Sequence, residues 1–216
     1  LDGNLGRLLA AVDEMGLAEE TIFVFTSDHG EMFGAHGRRN KNVFYDEAAR
    51  VPFLLRWPGR VRAGSTSDAC LATVDIMPTL LGLAGLEAPR EVEGMDLSHC
   101  ALGKPGPEPE AAFLQNTGAC AAWEDGHEWR ALRDKRWTYA RYRVDGRELL
   151  FDNVADPLQM RDLAGEPAQR TTIERFRGIL ASRMAAINDT FEASTWYRDH
   201  WIEDRIIKRT ATLDPV

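Results

Sequence analysis

One short run does most to limit what this chain can fold into. Thr21-Ile22-Phe23-Val24-Phe25-Thr26 is apolar, β-branched and aromatic almost without a break, and it stops abruptly at Ser27-Asp28-His29-Gly30. A continuous apolar run predicts a strand buried on both faces, as in the parallel sheet of an α/β protein; a half-buried strand would alternate. Polar residues at the C-terminal end of such a strand stand where α/β folds bind ligands. Fold class and candidate site are therefore read from the same stretch.

The flanking sequence extends this reading. Leu1, Leu5, Leu8, Leu9, Val12 and Met15 recur at helical spacing, with Gly16 where a helix C-cap belongs. Glu31 to Glu47 is polar and punctuated by glycine, which predicts a functional loop. Val51 to Trp57 predicts a second strand stopped by Pro58-Gly59, with Pro52 tolerated only at a strand entrance or edge. Val74, Ile76, Met77, Leu80, Leu81, Leu83 and Ala84 predict a short helix buried against the sheet, with Gly85 after it. Gly103 to Pro109 holds three prolines and two glycines in seven residues and divides the chain into domains 1–103 and 104–216.

Beyond that break the texture changes. Trp129 to Arg133, Trp137 to Tyr142 and Glu148 to Phe151 are short runs separated by Asp134-Lys135 and Asp145-Gly146. They predict an antiparallel meander, and the Asp-Gly pair suits a hairpin turn of type I′. Ile173, Phe176, Leu180, Met184 and Ile187 form a helical stripe that would cover the meander. Trp123, Trp129 and Trp137 are expected to pack that sheet. The tail from Asn188, with Trp196, Tyr197 and Trp201, is expected either to wrap over the body or to make a contact between chains.

Composition removes whole classes of function. The net charge of −8 over 216 residues argues against a nucleic-acid coat or a binder of anionic membranes, both of which need clustered positive charge. No run of eighteen apolar residues is present, so no membrane-spanning helix is expected, and the first residues lack a signal-peptide pattern. The three cysteines, at 70, 100 and 120, form neither a disulfide framework nor a CxxC metal pair.

The chemistry concentrates after the first strand. In Asp28-His29-Gly30 a carboxylate and an imidazole can face one cation if the backbone bends, which Gly30 permits; the plainer reading is a capping aspartate beside an incidental histidine. His36 lies between glycines in Gly34-Ala35-His36-Gly37. Lys41 could return to the strand end to neutralise an oxyanion or protonate a leaving group, though most lysines are merely solvated. Arg38 and Arg39 beside it would focus positive charge locally in an acidic chain. His99, His127 and His200 read as ordinary surface or capping residues, and Glu91, Glu93 and Asp96 as a solvated face.

Taken in order, Ser27 to Gly37, Lys41, Tyr45-Asp46-Glu47, Arg50-Val51-Pro52, Trp57-Pro58-Gly59, Val74 to Leu81 and Leu150-Phe151-Asp152 … Asp156-Pro157 … Asp162-Leu163 resemble the C-terminal half of a sulfatase of the alkaline-phosphatase superfamily. The resemblance runs from about Leu1 to about Met184. It implies an α/β fold: part of an alkaline-phosphatase-like sheet with helices, plus a small C-terminal antiparallel sheet covered by a helix. It further implies that Asp28 and His29 are two ligands of a divalent cation, typically calcium, and that Lys41 contacts the sulfate or the leaving-group oxygen. His36 matches a recurrent family histidine, carried as a catalytic candidate with a supporting role. Glu47 and Arg50 would scaffold the loop or contact substrate.

The family's nucleophile is a formylglycine made from Cys or Ser in a Cys/Ser-x-Pro/Ala-x-Arg motif, and no cysteine or serine of this sequence stands in one. The nucleophile and the remaining metal ligands are accordingly expected from an N-terminal half outside these residues. The fragment alone is expected to bind calcium weakly, to hydrolyse no sulfate ester, and to self-associate through an exposed edge or its tail. The implied substrate is a small-molecule or sugar sulfate ester. The alternatives are a phosphonate monoester or phosphodiester hydrolase of the same superfamily, and a non-catalytic binding or scaffold module.

Overall fold

A computed structural model describes residues 1–118, 127–204 and 206–207. Helix α1 (Asp2–Glu14) opens the chain; Met15 ends it in helical geometry and Gly16 follows with φ 69°, a left-handed exit that glycine adopts without steric cost. After a turn at Ala18–Glu20 comes β1 (Phe23–Thr26), then the one-turn helix α2 (Asp46–Ala49) and β2 (Phe53–Arg56), which begins just after Pro52. The apolar run does form a strand, but its only ladder among the described residues is antiparallel to β2, pairing Phe23 with Arg56 and Thr26 with Phe53. Its side chains are half-buried, not enclosed on both faces as the run predicts. The apolar pattern registers the burial that a strand can use, and here the described elements cover only part of it.

Helix α3 (Thr73–Leu83) follows, and its buried face is more polar than the sequence pattern suggests. Asp75 accepts from the amides of Ala72 and Met95 (2.8 Å each), and Thr79 Oγ1 accepts from Leu97 N (3.0 Å). These bonds tie the helix to the segment leading into α4 (Ser98–Ala101), while Val74 and Met77 face outward.

The second half is a four-stranded antiparallel meander in the order β3 (Ala112–Asn116), β4 (Trp129–Arg133), β5 (Trp137–Tyr142) and β6 (Glu148–Asp152). β3 has no counterpart in the sequence reading. The β5–β6 connection is longer than a two-residue turn: Tyr142 N donates to Arg147 O (2.9 Å), and of the Asp145-Gly146 pair only Gly146 has positive φ. Helix α5 (Arg170–Ala186), entered through Pro167–Gln169, covers one face; Ile173, Phe176 and Leu180 pack on Leu132, Tyr139 and Leu150. The other face carries Trp129, Ala131, Ala140 and Phe151, and closes over Phe44 from the first half.

The tail wraps over the body. Helix α6 (Ser194–Trp201) leads into a small ladder between β7 (Ile202–Glu203) and β8 (Ile206–Ile207). Arg130, fully buried on β4, pairs with Asp189, and Tyr197 donates to the same carboxylate (2.9 Å). Trp137 is partly buried against the α5 core; Trp123 and Cys120 lie outside the described residues. No helix among the described residues is long and apolar enough to cross a membrane.

Candidate active site

The end of β1 is fixed by backbone. Gly30 N donates to Ala48 O (2.8 Å) and Glu31 N to Glu47 O (3.0 Å), pressing the turn against α2. Glycine at position 30 is required for a different reason than a bend: its φ is not left-handed, but a Cβ there would overlap the Glu47 carbonyl oxygen. On this turn His29 N donates to Asp28 Oδ1 (3.0 Å), and His29 Nε2 stands 3.3 Å from Asp28 Oδ2. His29 Nδ1 is 2.7 Å from Gly30 O, a carbonyl that can accept a ring proton from Nδ1, and Nε2 lies beside the carboxylate. A histidine held this way by a backbone carbonyl is arranged as metal-ligating histidines are. Both side chains reach solvent, 82% exposed for Asp28 and 38% for His29. The amide of His29 holds the Asp28 carboxyl below its ordinary pKa, against a small opposing effect of burial.

The next loop is unusually constrained. Phe33, His36 and Asn40 all adopt positive φ, a conformation uncommon outside glycine. Closure bonds hold them there: Asn40 N donates to Glu31 Oε1 (2.6 Å), Met32 N to Asn40 O (3.0 Å) and Gly34 N to Arg38 O (2.8 Å), over a buried Met32. The loop therefore presents Arg38, Arg39 and Lys41 from a fixed frame, and none of the three makes an ion pair among the described residues.

Support comes from the distant meander. Trp129 Nε1 donates to Asn42 O (3.2 Å), one residue past Lys41, and the Trp129 ring meets Phe44 edge-on at 5.4 Å. Asp46 N, which has no side-chain cap of its own, donates to Gln159 Oε1 (2.8 Å), and the Asp46 carboxylate pairs with Arg133 (3.1 Å). Buried Gln159 also donates to Thr138 Oγ1 and Asn153 Oδ1 (2.9 Å each). Sequence reading missed these positioning roles. A tryptophan N–H and a glutamine amide need partners when buried, but nothing in the sequence shows that the partners lie more than eighty residues away.

Asp28, His29 and Lys41 line one open trough of about 2730 Å³ that runs from β2 and α3 to β3 and α5. Arg50 also lines it, with its guanidinium 3.9 Å from Asp46. His36 does not. Its ring stacks on Tyr45 at 3.8 Å with Nε2 3.9 Å from Glu47, so the structure separates it from the other three. Asp28 and His29 stand as a pair: no group of three or more His, Cys, Asp or Glu able to hold a metal occurs among the described residues.

The Sulfatase family profile matches residues 1–86. These residues carry the C-terminal part of a sulfatase-family fold. The ulvan-active sulfatase of Formosa agariphila is 41% identical over 202 residues, covering 91% of this chain and 39% of that protein. Among solved structures, BT4656 in complex with its substrate D-glucosamine-2-N,6-O-disulfate superposes with TM-score 0.77 at 28% identity, covering 92% of this chain and 39% of that one. The phosphonate monoester hydrolase of Agrobacterium radiobacter gives 0.71 at 28% identity, covering 84% and 39%. The chain thus spans about two fifths of the length of the sulfatase-family relatives it matches. Its mixed α/β architecture of helices and antiparallel sheets is that of its sulfatase neighbours.

Proposed function

We propose that these residues supply part of the catalytic centre of a sulfuric ester hydrolase. The observation that carries the reading is that Asp28, His29 and Lys41 line one trough, with His29 Nε2 3.3 Å from the Asp28 carboxylate and Nδ1 2.7 Å from Gly30 O. An anionic oxygen and a neutral imidazole nitrogen fit two positions of a divalent-cation site, which we assign to calcium. Such an ion supplies charge stabilisation to the oxygens of the sulfuryl group. Lys41 adds a positive charge from a loop that does not need to reorganise, suited to the charge that grows on the departing oxygen. Asp28 holds its charge for this task, since the His29 amide favours the ionised form.

The nucleophile, a formylglycine in this family, and the remaining ligands would come from outside these residues. The trough supports this arrangement. Its volume exceeds the roughly 300–1,000 Å³ of small-molecule sites, so it suits a complementary part of the enzyme better than a substrate alone. Leu8 and Leu54, 58% and 59% exposed, leave further apolar surface for it. By itself the chain should then turn over no aryl sulfate, bind calcium weakly, and associate in solution. In an enzyme joining it to the nucleophile-bearing part, Lys41→Ala should lower kcat/KM for an aryl sulfate by about 10²–10³, the loss expected on deleting one oxyanion donor. An unchanged rate would refute the assignment. The likeness to a phosphonate monoester hydrolase supports a second reading, and parallel assays on sulfate and phosphonate monoesters separate the two.

A further inference from the structure

We infer that Gln159 is a positioning residue for the Asp28-His29 turn: from inside the C-terminal meander its side-chain amide fixes α2, and α2 fixes the turn. This deepens the proposed function and rests on its reading of Asp28 and His29 as a cation pair. The path is short and made of hydrogen bonds. Asp46 N donates to Gln159 Oε1 (2.8 Å). The Ala48 and Glu47 carbonyls of the same helix accept from Gly30 N (2.8 Å) and Glu31 N (3.0 Å), and Asp28 and His29 stand directly before Gly30.

A helix of one turn has no length over which propagation could repay nucleation, so α2 has to be held from outside. Tyr45 before it supplies no side-chain cap, and Gln159 takes that part from 113 residues away. The amide is built for this. Gln159 is buried, and Nε2 donates to Thr138 Oγ1 and Asn153 Oδ1 (2.9 Å each), which leaves Oε1 for Asp46 N. Asn153 Nδ2 in turn donates to Arg136 O (3.0 Å) and Thr138 Oγ1 (3.1 Å), anchoring the group on β5. These bonds also hold Gln159 at φ 53°, a backbone conformation uncommon outside glycine. The stretch from Asp156-Pro157 to Asp162-Leu163, conspicuous in the sequence, thus acquires a task at the other end of the molecule. Glutamine is the side chain that the task needs. Methionine fills the same space without polar atoms, whereas glutamate keeps the acceptor for Asp46 N, gives up both donors and buries a charge. The plainer alternative, a glutamine that only knits the turn after β6, predicts effects on the turn that simply follow overall stability.

Amide exchange and a titration with calcium ion followed by amide NMR, both on the 216-residue chain, separate these. Gln159→Met should speed exchange at Gly30 and Glu31 by about tenfold, the factor for one lost hydrogen bond, and should weaken calcium binding in the same direction. Gln159→Glu should unfold at lower denaturant than Gln159→Met, yet keep more of the protection at Gly30 and Glu31 and more of the calcium affinity, because Asp46 N retains its acceptor. A purely structural role cannot invert that order. Leu180→Ala, which loosens the α5 core, should lower stability and leave the turn and its calcium affinity unchanged. If Gln159→Glu does not fold, Thr138→Val, which removes one anchor of Nε2, should move both readouts as Gln159→Met does, by less. Unchanged exchange at Gly30 and Glu31 in Gln159→Met, or an unchanged calcium affinity, overturns the inference. So does an equal response to Leu180→Ala. If exchange responds to Gln159→Met while the unsubstituted chain shows no calcium-dependent shift at residues 28–31, the cation reading fails and the positioning of the turn stands.

Discussion

From Leu1 to Gly85 few apolar side chains besides Met32, Phe44, Ala48 and Leu83 are buried, whereas the strands and helix between Ala112 and Ala186 close over a core. Helix α1 buries none of its side chains and β1 is half-covered, while Tyr139, Ala140, Leu150 and Phe176 are shut away completely. The family match covers the open half, and the turn and loop proposed to take part in the chemistry lie there. That half is steadied from behind by the closed one through Phe44, the Trp129–Asn42 bond, the Gln159–Asp46 bond and the Arg133–Asp46 pair. The loop leaves Arg38, Arg39 and Lys41 exposed and is anchored from the other core instead.

The sharpest test of this contrast compares two deletions. Phe176→Ala, at the centre of the closed core, should cost about 3–5 kcal/mol in denaturant unfolding, whereas Leu8→Ala on exposed α1 should stay within about 0.5 kcal/mol. Comparable losses would break the distinction. Next in size, Gly30→Ala should destabilise by about 1–3 kcal/mol, because the new methyl overlaps the Glu47 carbonyl and the turn must move. Amide exchange should then rise around residues 28–31 and 47–48, with α5 unchanged.

Trp129→Phe keeps the ring and removes the bond to Asn42 O. It should cost about 1 kcal/mol and loosen the segment around Lys41 more than the meander. The smallest effect is in acid. Glu148 titrates below its ordinary range chiefly because Arg177 donates to it; burial pushes Asp189 up, but Arg130, the Phe191 amide and the Tyr197 hydroxyl together bring it below its ordinary range. Depressed carboxylates contribute stability that is fully present above their unfolded pKa of about 4 and is lost as pH falls through their lower folded values. The closed half should therefore weaken below about pH 4, and Glu148→Gln should flatten that acid limb in a series of pH-dependent melts.

Much of this was legible in the residues. Helical spacing of Leu5, Leu8 and Val12 marked α1, and the Ile173-Phe176-Leu180 stripe marked α5 and the sheet beneath it, because periodicity records which face must be covered. The Asp28-His29 pair drew notice because polar residues end an apolar run abruptly there, and the structure places both, with Lys41, along one trough. His36 was drawn in by its flanking glycines and by the family resemblance, with a supporting role, and its ring stacks on Tyr45. β3 was not seen at all: Ala112–Asn116 is short, and only its pairing with β4 makes it a strand.

The local pattern of apolar and polar residues determined most of the elements, because those depend on near neighbours. The tertiary structure decided strand direction, the capping of Asp46 by Gln159 and the anchoring of Asn42 by Trp129. Each of these joins residues far apart in the chain, and one-dimensional spacing does not encode which distant donor finally meets which acceptor.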